Sequence, residues 1–340
     1  MNARPDHPRP GHPLPDDIHP IAVPTPFAIG SVNAFLLEGT PLTLIDSGPN
    51  YASALNAIED ALADIGRGVE DLELLLITHQ HGDHLGLAQT LVRRSGAEVA
   101  CLDLLPPFVS DYRRSVQSDD ALGVALMRRH GVPERTIATL RVISSLTSHL
   151  GSSFEVQRPL PDGATVRAGT RELQLLLRPG HSATDTVYLD AGAGLAFAGD
   201  HLLASISSNP LIGNPPGGPV SGLAADRPRA LPTYLDSLRQ TRELSLDVVL
   251  TGHGEPVLDH RALIDSRLHH HERRAERILG YVQAGPLSAH AIAEEIWGQV
   301  AHTQAYLTLC EVIGHLDLLV AAGVAVEEEG EETTTFSSAR

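Results

Sequence analysis

The sequence predicts a layered α/β fold. Residues 54–65 carry apolar side chains at the spacing of an amphipathic helix, and Gly66 ends that segment. The run at 72–77 is wholly apolar, which is typical of a strand buried on both faces. A helix at 85–94 and a strand at 98–102 follow. This alternation of strand and helix predicts sheets covered by helices.

The chain before this segment divides into an arm and the start of a domain. Residues 1–19 are rich in proline, aspartate and histidine without periodicity, so we expect a flexible arm. The main domain is predicted at 20–258. It opens with short apolar runs bounded by proline and glycine, which indicate strands at 21–23, 32–37 and 42–45.

The alternation of strand and helix stops at about 105–150, which predicts a helical insertion in this domain. The segments 121–129 and 133–143 have helical character there. A loop rich in proline and glycine spans 207–222, and loops of that length inside compact domains are usually functional or mobile. The remaining predicted strands lie at 173–177, 186–190, 195–198 and 247–250.

The C-terminal part predicts a connecting helix at 259–283 and a small second unit at 284–328. Ser288 can cap one helix of this unit, and Gly323 can end another. The acidic end, 329–340, is expected to be a disordered tail.

Composition restricts the compartment and the partners. The formal net charge is −17, and all 25 basic residues are arginine. A field of this sign repels polyanions, so nucleic acid is an unfavourable partner. The sequence contains no apolar run of about 18 residues and no apolar signal segment, so we expect a cytoplasmic protein without membrane contact. Cys101 and Cys310 lie too far apart in sequence to indicate a cysteine zinc site.

The densest chemical signal is the segment THQHGDHLG, directly after the apolar run. It places His79, His81, Asp83 and His84 within six residues. Imidazole and carboxylate groups at a strand end can converge on a metal ion, and ligand residues gather at this edge of α/β sheets. A polar turn rich in histidine is the alternative. The density of ligand types favours a metal site.

Three later segments supply further candidate ligands, each after a predicted strand and beside a glycine. RPGHS contains His181, AFAGD contains Asp200 and LTGHG contains His253. Small neighbours allow close packing around an ion, and strand ends hold side chains rigidly. A lone histidine of this kind is more often a hydrogen-bonded structural residue. The four segments together favour one metal centre.

The order of these motifs, HxHxDH followed by His, Asp and a final His, resembles the metallo-β-lactamase superfamily over residues 20–258. The resemblance implies a four-layer αββα sandwich and two divalent metal ions, and this ligand set suits zinc. Flavodiiron-type relatives carry glutamate where this chain has His81, which weighs against a redox di-iron role. The resemblance assigns His79, His81 and His181 to the first metal, Asp83, His84 and His253 to the second, and Asp200 to both.

The resemblance also implies a hydrolytic mechanism. Two divalent ions bind a bridging water, lower its pKa and polarise the group under attack. Asp83 would orient this nucleophile and pass its proton to the leaving group. Asp46, in LIDSG, matches an early aspartate of the family and would support the metal ligands through hydrogen bonds. A local Asx turn is the alternative for Asp46.

A weaker resemblance concerns the C-terminal unit. Its GPLSAHAIAEEIW segment, with the following helix and strand, resembles the winged helix found in thioesterase-like and endoribonuclease-like branches of the superfamily. Residues 284–330 contain seven acidic residues and no arginine or lysine, so the unit lacks the positive surface that phosphate contacts require. We therefore expect it to serve in packing or in a homodimer.

These observations predict a hydrolase of small acyl substrates such as thioesters, esters or lactones. A single-strand endoribonuclease or phosphodiesterase is one alternative, and a non-catalytic metal-binding scaffold is the other. A scaffold would show a missing ligand, whereas all seven are present. The histidine run at 269–271 is interpreted as a solvated helix face and not as a third metal site.

Overall fold

Two β-sheets form the centre of the main domain in the computed structural model, which describes residues 14–27, 29–216, 218 and 227–339. Within these residues the first sheet has six strands that lie side by side in chain order. They are β1 (Ile18–Val23), β2 (Val32–Leu37), β3 (Thr43–Ile45), β4 (Leu74–Leu76), β5 (Glu98–Leu102) and β6 (Arg158–Leu160). The first three are antiparallel neighbours, and β3 to β6 run parallel.

The second sheet has five strands within the described residues. They are β7 (Thr165–Ala168), β8 (Arg171–Leu177), β9 (Thr186–Asp190), β10 (Leu195–Phe197) and β11 (Val248–Leu250). Their spatial order is β11-β10-β9-β8-β7, with β10 and β11 parallel and the other neighbours antiparallel. The parallel pair brings the carboxyl ends of β10 and β11 to the same edge.

Helices cover the outer faces of both sheets and form the C-terminal part of the chain. They are α1 (Ala52–Asp64), α2 (Gly82–Leu85), α3 (Ala88–Ser95), α4 (Pro106–Val109), α5 (Tyr112–Arg129), α6 (Glu134–Thr147), α7 (Ala230–Arg242), α8 (His260–Ala284), α9 (Ala289–Trp297), α10 (Val300–Thr303) and α11 (Ala305–Ala321). No helix of the described ranges is both long and apolar enough to cross a bilayer.

Three apolar clusters show the layering of the main domain. Side chains of both sheets meet in one cluster, where the rings of Phe35 and Phe197 pack edge to face with centroids 5.2 Å apart. The other face of the first sheet packs on α1, through residues such as Ile58. The other face of the second sheet packs on α7 and α8, through residues such as Leu238. This helix, sheet, sheet, helix arrangement confirms the predicted four-layer α/β fold.

The insertion and the C-terminal unit share a fourth apolar cluster. Leu126 of α5 and Ile137 of α6 pack in the same cluster as Leu309 and Ile313 of α11. The C-terminal unit continues as a hairpin of β12 (Ala325–Glu329) and β13 (Thr334–Ser338). The insertion is therefore tied to the end of the chain and to the domain that contains it.

The acidic end of the chain is ordered, so the prediction of a disordered tail at 329–340 is wrong for the described residues. Phe336 in β13 is fully buried, exchanges backbone hydrogen bonds with Leu287 and stacks on the ring of His130. The segment TTTFSS alternates as a strand does and places this ring inward. Net charge alone did not reveal that alternation.

Three other predictions need correction or fall partly outside the described residues. Of the predicted arm, 1–13 lie outside them, whereas Leu14 packs on the core and β1 begins at Ile18. Part of the 207–222 loop also lies outside them. The predicted solvated histidine face is wrong for His271, which is 2% exposed because α11 packs over it.

Replacement of Phe336 by alanine tests the ordered chain end. We expect Phe336→Ala to lower the free energy of unfolding by about 3–5 kcal/mol, because it leaves a cavity where the ring packs. Urea denaturation measures this loss, with Glu331→Ala, an exposed position of the same hairpin, as the control. Equal stability of the two variants would contradict an ordered tail.

Candidate metal centre

Loops that follow four strands converge at one edge of the two sheets. Residues 78–84 follow β4 in the first sheet. In the second sheet, His181 follows β8, while Asp200 and His253 follow the adjacent strands β10 and β11. The backbone N–H of Thr186 donates to the carbonyl of Thr78 at 2.9 Å and joins the two sheets here. Residues far apart in sequence therefore meet at this edge.

The predicted ligands come together in the two groups that the sequence suggested. The Nδ1 atom of His81 lies 3.1 Å from Nε2 of His79 and 3.0 Å from Nε2 of His181. In the second group, Nε2 of His253 lies 3.5 Å from Oδ2 of Asp83, and His84 completes the set. These separations are close to those between neighbouring ligands of a tetrahedral ion, about 3.3 Å for bonds of about 2.0 Å.

Asp200 lies between the two groups. Its Oδ1 is 3.4 Å from Nε2 of His84, and its Oδ2 is 3.6 Å from Nε2 of both His181 and His253. One carboxylate thus faces ligands of both groups. The position fits a bridging role.

Three inward-facing atoms of the site lack hydrogen-bond partners, whereas the opposite ring nitrogens of His181 and His253 have them. Nε2 of His84, Nε2 of His253 and Oδ1 of Asp200 are buried without a partner in the described chain. Nδ1 of His253 donates to the carbonyl of Ser31 at 2.9 Å, and Nδ1 of His181 donates to that of Asn209 at 3.1 Å. These bonds place the Nε2 lone pairs toward the centre. The site therefore fits cations held among imidazoles and carboxylates.

Asp46 supports the ligands from behind. Its carboxylate accepts hydrogen bonds from the backbone N–H and Oγ1 of Thr78 and from Nδ1 of His84, all at 2.8–2.9 Å. Thr78 Oγ1 can in turn accept a hydrogen bond from the Nδ1–H of His79, 3.0 Å away. These partners are distant in sequence, unlike those of an Asx turn. Asp46 also adopts a positive φ of 57°, a backbone conformation that the surrounding contacts must hold.

Glycine beside the ligands is a steric requirement. A Cβ atom at Gly252 would lie 2.3 Å from Oδ1 of Asp200 and 2.8 Å from the ring of His84. Gly199 has a φ of 49°, and a Cβ there would lie 2.7 Å from Oγ1 of Thr78. The glycines of AFAGD and LTGHG therefore allow the close approach that the sequence indicated.

The electrostatics of the site favour bound cations. Burial and the neighbouring His181 lower the pKa of His81 to about 3, so this imidazole stays neutral and available as a ligand. Burial alone would raise the pKa of Asp83, but His84 and His253 lower it to about 2. Burial likewise opposes ionisation of Asp200, yet the adjacent histidines hold its pKa well below the usual range. The carboxylates are therefore ionised in a buried site.

A cavity of about 530 Å³ adjoins this centre. His81, His181 and Tyr112 of α5 are among the residues that line it. A Cβ at Gly82 would lie 2.6 Å from the Tyr112 hydroxyl, so the phenol packs directly on the ligand loop. The place of Tyr112 depends on how the insertion folds back over the sheets.

Comparison with known proteins agrees with this geometry. The family model of the metallo-beta-lactamase superfamily matches residues 28–253. The chain belongs to this superfamily. It is 32% identical to the probable metallo-hydrolase YqjP of Bacillus subtilis over 90% of this chain and 93% of that protein. It is 23% identical to the atrochrysone carboxyl ACP thioesterase of Aspergillus fumigatus, over 74% of this chain and 44% of that protein.

Solved structures show the same architecture. A metallo-beta-lactamase family protein from Thermus thermophilus has a TM-score of 0.78 and 25% identity, covering 95% of this chain and 98% of that one. A beta-lactamase domain protein from Burkholderia ambifaria has a TM-score of 0.76 at 22% identity, covering 96% and 93%. Both alignments extend through the insertion and the C-terminal unit. Superfamily membership and the candidate ligand groups together identify the chain as a metal-dependent hydrolase.

Replacement of Asp46 by asparagine tests its support of the ligands. We expect Asp46→Asn to weaken metal binding by about 10- to 100-fold, because an amide no longer accepts all three hydrogen bonds as a carboxylate does. Competition with a chromophoric chelator measures the affinity. Asp64→Asn, on the exposed end of α1, should leave it unchanged. If Asp46→Asn binds metal as tightly as wild type, Asp46 serves only to stabilise the fold.

Proposed function

We propose that this protein uses two divalent metal ions, zinc in the first instance, to hydrolyse small acyl substrates such as thioesters, esters or lactones. The observation that carries the proposal is the cavity, which is mainly apolar and whose lining includes the candidate ligands His81 and His181. An apolar acyl chain in this cavity would bring its carbonyl to the metal centre.

The proposal gives each group of ligands a role. His79, His81 and His181 would hold one ion, Asp83, His84 and His253 the other, and Asp200 would contact both. When bound, such ions lower the pKa of water and polarise a carbonyl group. Asp83, ionised and 3.5 Å from His253, would then accept the proton of the attacking water and pass it to the leaving group.

Much of the cavity wall comes from two distant parts of the chain. Val124 of α5 and Leu140 of α6 belong to the insertion, and Leu307 belongs to α11 of the C-terminal unit. The proposed acyl pocket therefore needs the C-terminal unit, which we propose to be winged-helix-like. Forming part of the cavity wall gives the C-terminal unit a role that does not involve nucleic acid. A homodimer through it stays a prediction.

Charge argues against a nucleic-acid substrate. Asp119 and Asp120 line the cavity together with Arg141, so two carboxylates oppose one guanidinium there. The chain as a whole has a formal net charge of −17. Binding of polynucleotides needs a local excess of positive charge. The fungal thioesterase among the relatives acts, by its name, on an acyl thioester, which agrees with the proposed substrate class.

A substrate panel tests the reaction type. Zinc-loaded protein should hydrolyse at least one class among acyl thioesters, esters and lactones, and should leave a β-lactam and single-stranded RNA intact. We expect Asp83→Ala to lower kcat by about 10²–10⁴-fold, since it removes the proposed proton carrier. Asp103→Ala, at an exposed aspartate, is the control. RNA cleavage that disappears in Asp83→Ala would instead establish a nuclease.

Narrowing the cavity tests the acyl pocket. Leu307 is 37% exposed and lines the cavity. The fold should therefore tolerate a larger side chain there, and that side chain should shorten the cavity available to substrate. We expect Leu307→Trp to raise KM for long acyl chains by at least about tenfold and to leave short-chain turnover intact. Val324→Trp, also exposed, is the matched control. Equal effects on long and short chains would place the acyl group elsewhere.

A further inference from the structure

Three potential metal ligands meet in the C-terminal unit, outside the segment matched by the family model. His290 and Glu294 are four residues apart on α9 and so share one face of that helix, and His302 lies on α10. Oε1 of Glu294 is 3.2 Å from Nε2 of His302 and 3.7 Å from Nε2 of His290. The ligand atoms all lie within 4.8 Å of one another, as ligands of one ion must.

His290 is the residue of this group that most clearly lacks a partner. It is 3% exposed, and neither of its ring nitrogens has a hydrogen-bond partner among the described residues. Buried polar side chains almost always have a partner, since an unsatisfied one loses its hydration without compensation. A bond from Nε2 to a cation would remove that deficit. Burial also lowers the pKa of His290, although Glu294 opposes this, and a neutral imidazole is the form that binds metal.

We propose that His290, Glu294 and His302 bind a divalent transition-metal ion of the zinc type. Two imidazoles and one carboxylate suit zinc, and one further position can be filled by water. The side chains of Glu294 and His302 are 44% and 33% exposed, so an ion can enter from solvent. Bound there, it cross-links α9 to α10 and stabilises the start of the C-terminal unit.

A second cluster, between α8 and α11, is a poorer candidate. His271, Glu311 and His315 also lie close together, but Nδ1 of His271 already pairs with Nε2 of His315 at 3.2 Å. Nδ1 of His315 donates to the carbonyl of Glu311 at 2.7 Å. The guanidinium of Arg274 lies 3.9 Å from the Glu311 carboxylate and opposes a second cation. At His290, Glu294 and His302 no arginine forms an ion pair with the ligands within the described residues.

Metal content of the full-length protein tests the proposal. Metal-free protein is loaded with zinc and dialysed, and its zinc is counted by mass spectrometry. Wild type is compared with His302→Ala, Glu294→Gln and His269→Ala, the last an exposed histidine on α8 outside the cluster. We expect His302→Ala and Glu294→Gln to hold one equivalent less than wild type. His269→Ala should match wild type, and acyl hydrolysis should stay unchanged in all three.

Thermal unfolding supplies a second measurement that does not depend on activity. Zinc should raise the Tm of His269→Ala by more than that of His302→Ala, because an ion bound only by the folded state stabilises it. The double variant His253→Ala/His302→Ala should lose as much zinc as the two single variants lose together. This additivity separates the site from the main centre. Equal zinc content and equal zinc-dependent Tm in His302→Ala, Glu294→Gln and His269→Ala would overturn the proposal. The side chains of Glu294 and His302 are 44% and 33% exposed, so neither substitution opens a cavity in the core.

Discussion

The structure depends on seven candidate metal ligands whose side chains converge on one buried space. Five imidazoles and two carboxylates placed there without a cation leave several buried atoms unpaired, such as Nε2 of His253. The surrounding contacts hold these side chains in place. Glycine stands where a Cβ would strike a ligand, and backbone carbonyls hold the imidazole rings. Asp46 keeps an unfavourable backbone angle to reach Thr78 and His84. The two sheets thus form a rigid frame around a site that is completed by metal.

The parts added to this frame determine access to the centre. α5, α6 and α11 come from two distant segments of the chain, yet they line one cavity and share one apolar cluster. A change in the C-terminal unit can therefore alter this cavity without touching a candidate ligand. The hairpin of β12 and β13 belongs to the same assembly, because Phe336 packs with the end of α5. The chain end thus packs in the same apolar cluster as helices that line the cavity.

Burial is also what separates the histidines by role. His269 is exposed and free to pair with Glu272 on the helix surface. His271, two residues later, is buried against His315, and His290 is buried with no hydrogen-bond partner among the described residues. The same residue type therefore serves as a surface group, a packed hydrogen-bonding group and a candidate ligand. Only the neighbours that each ring meets distinguish these cases, because spacing along one helix does not reveal what packs over it.

The sequence by itself determined the superfamily, the layered fold and the identity of the candidate ligands. HxHxDH and the later His, Asp and His are local patterns beside strands. Such patterns can be recognised in a sequence without knowing how the chain packs. The tertiary structure decided which ring atom faces inward, such as Nδ1 of His81 but Nε2 of His181, because pairing across 100 residues sets it. It also decided the place of Tyr112, the cavity and the ordered β13. These depend on long-range burial, which a charge count or a helical period cannot supply.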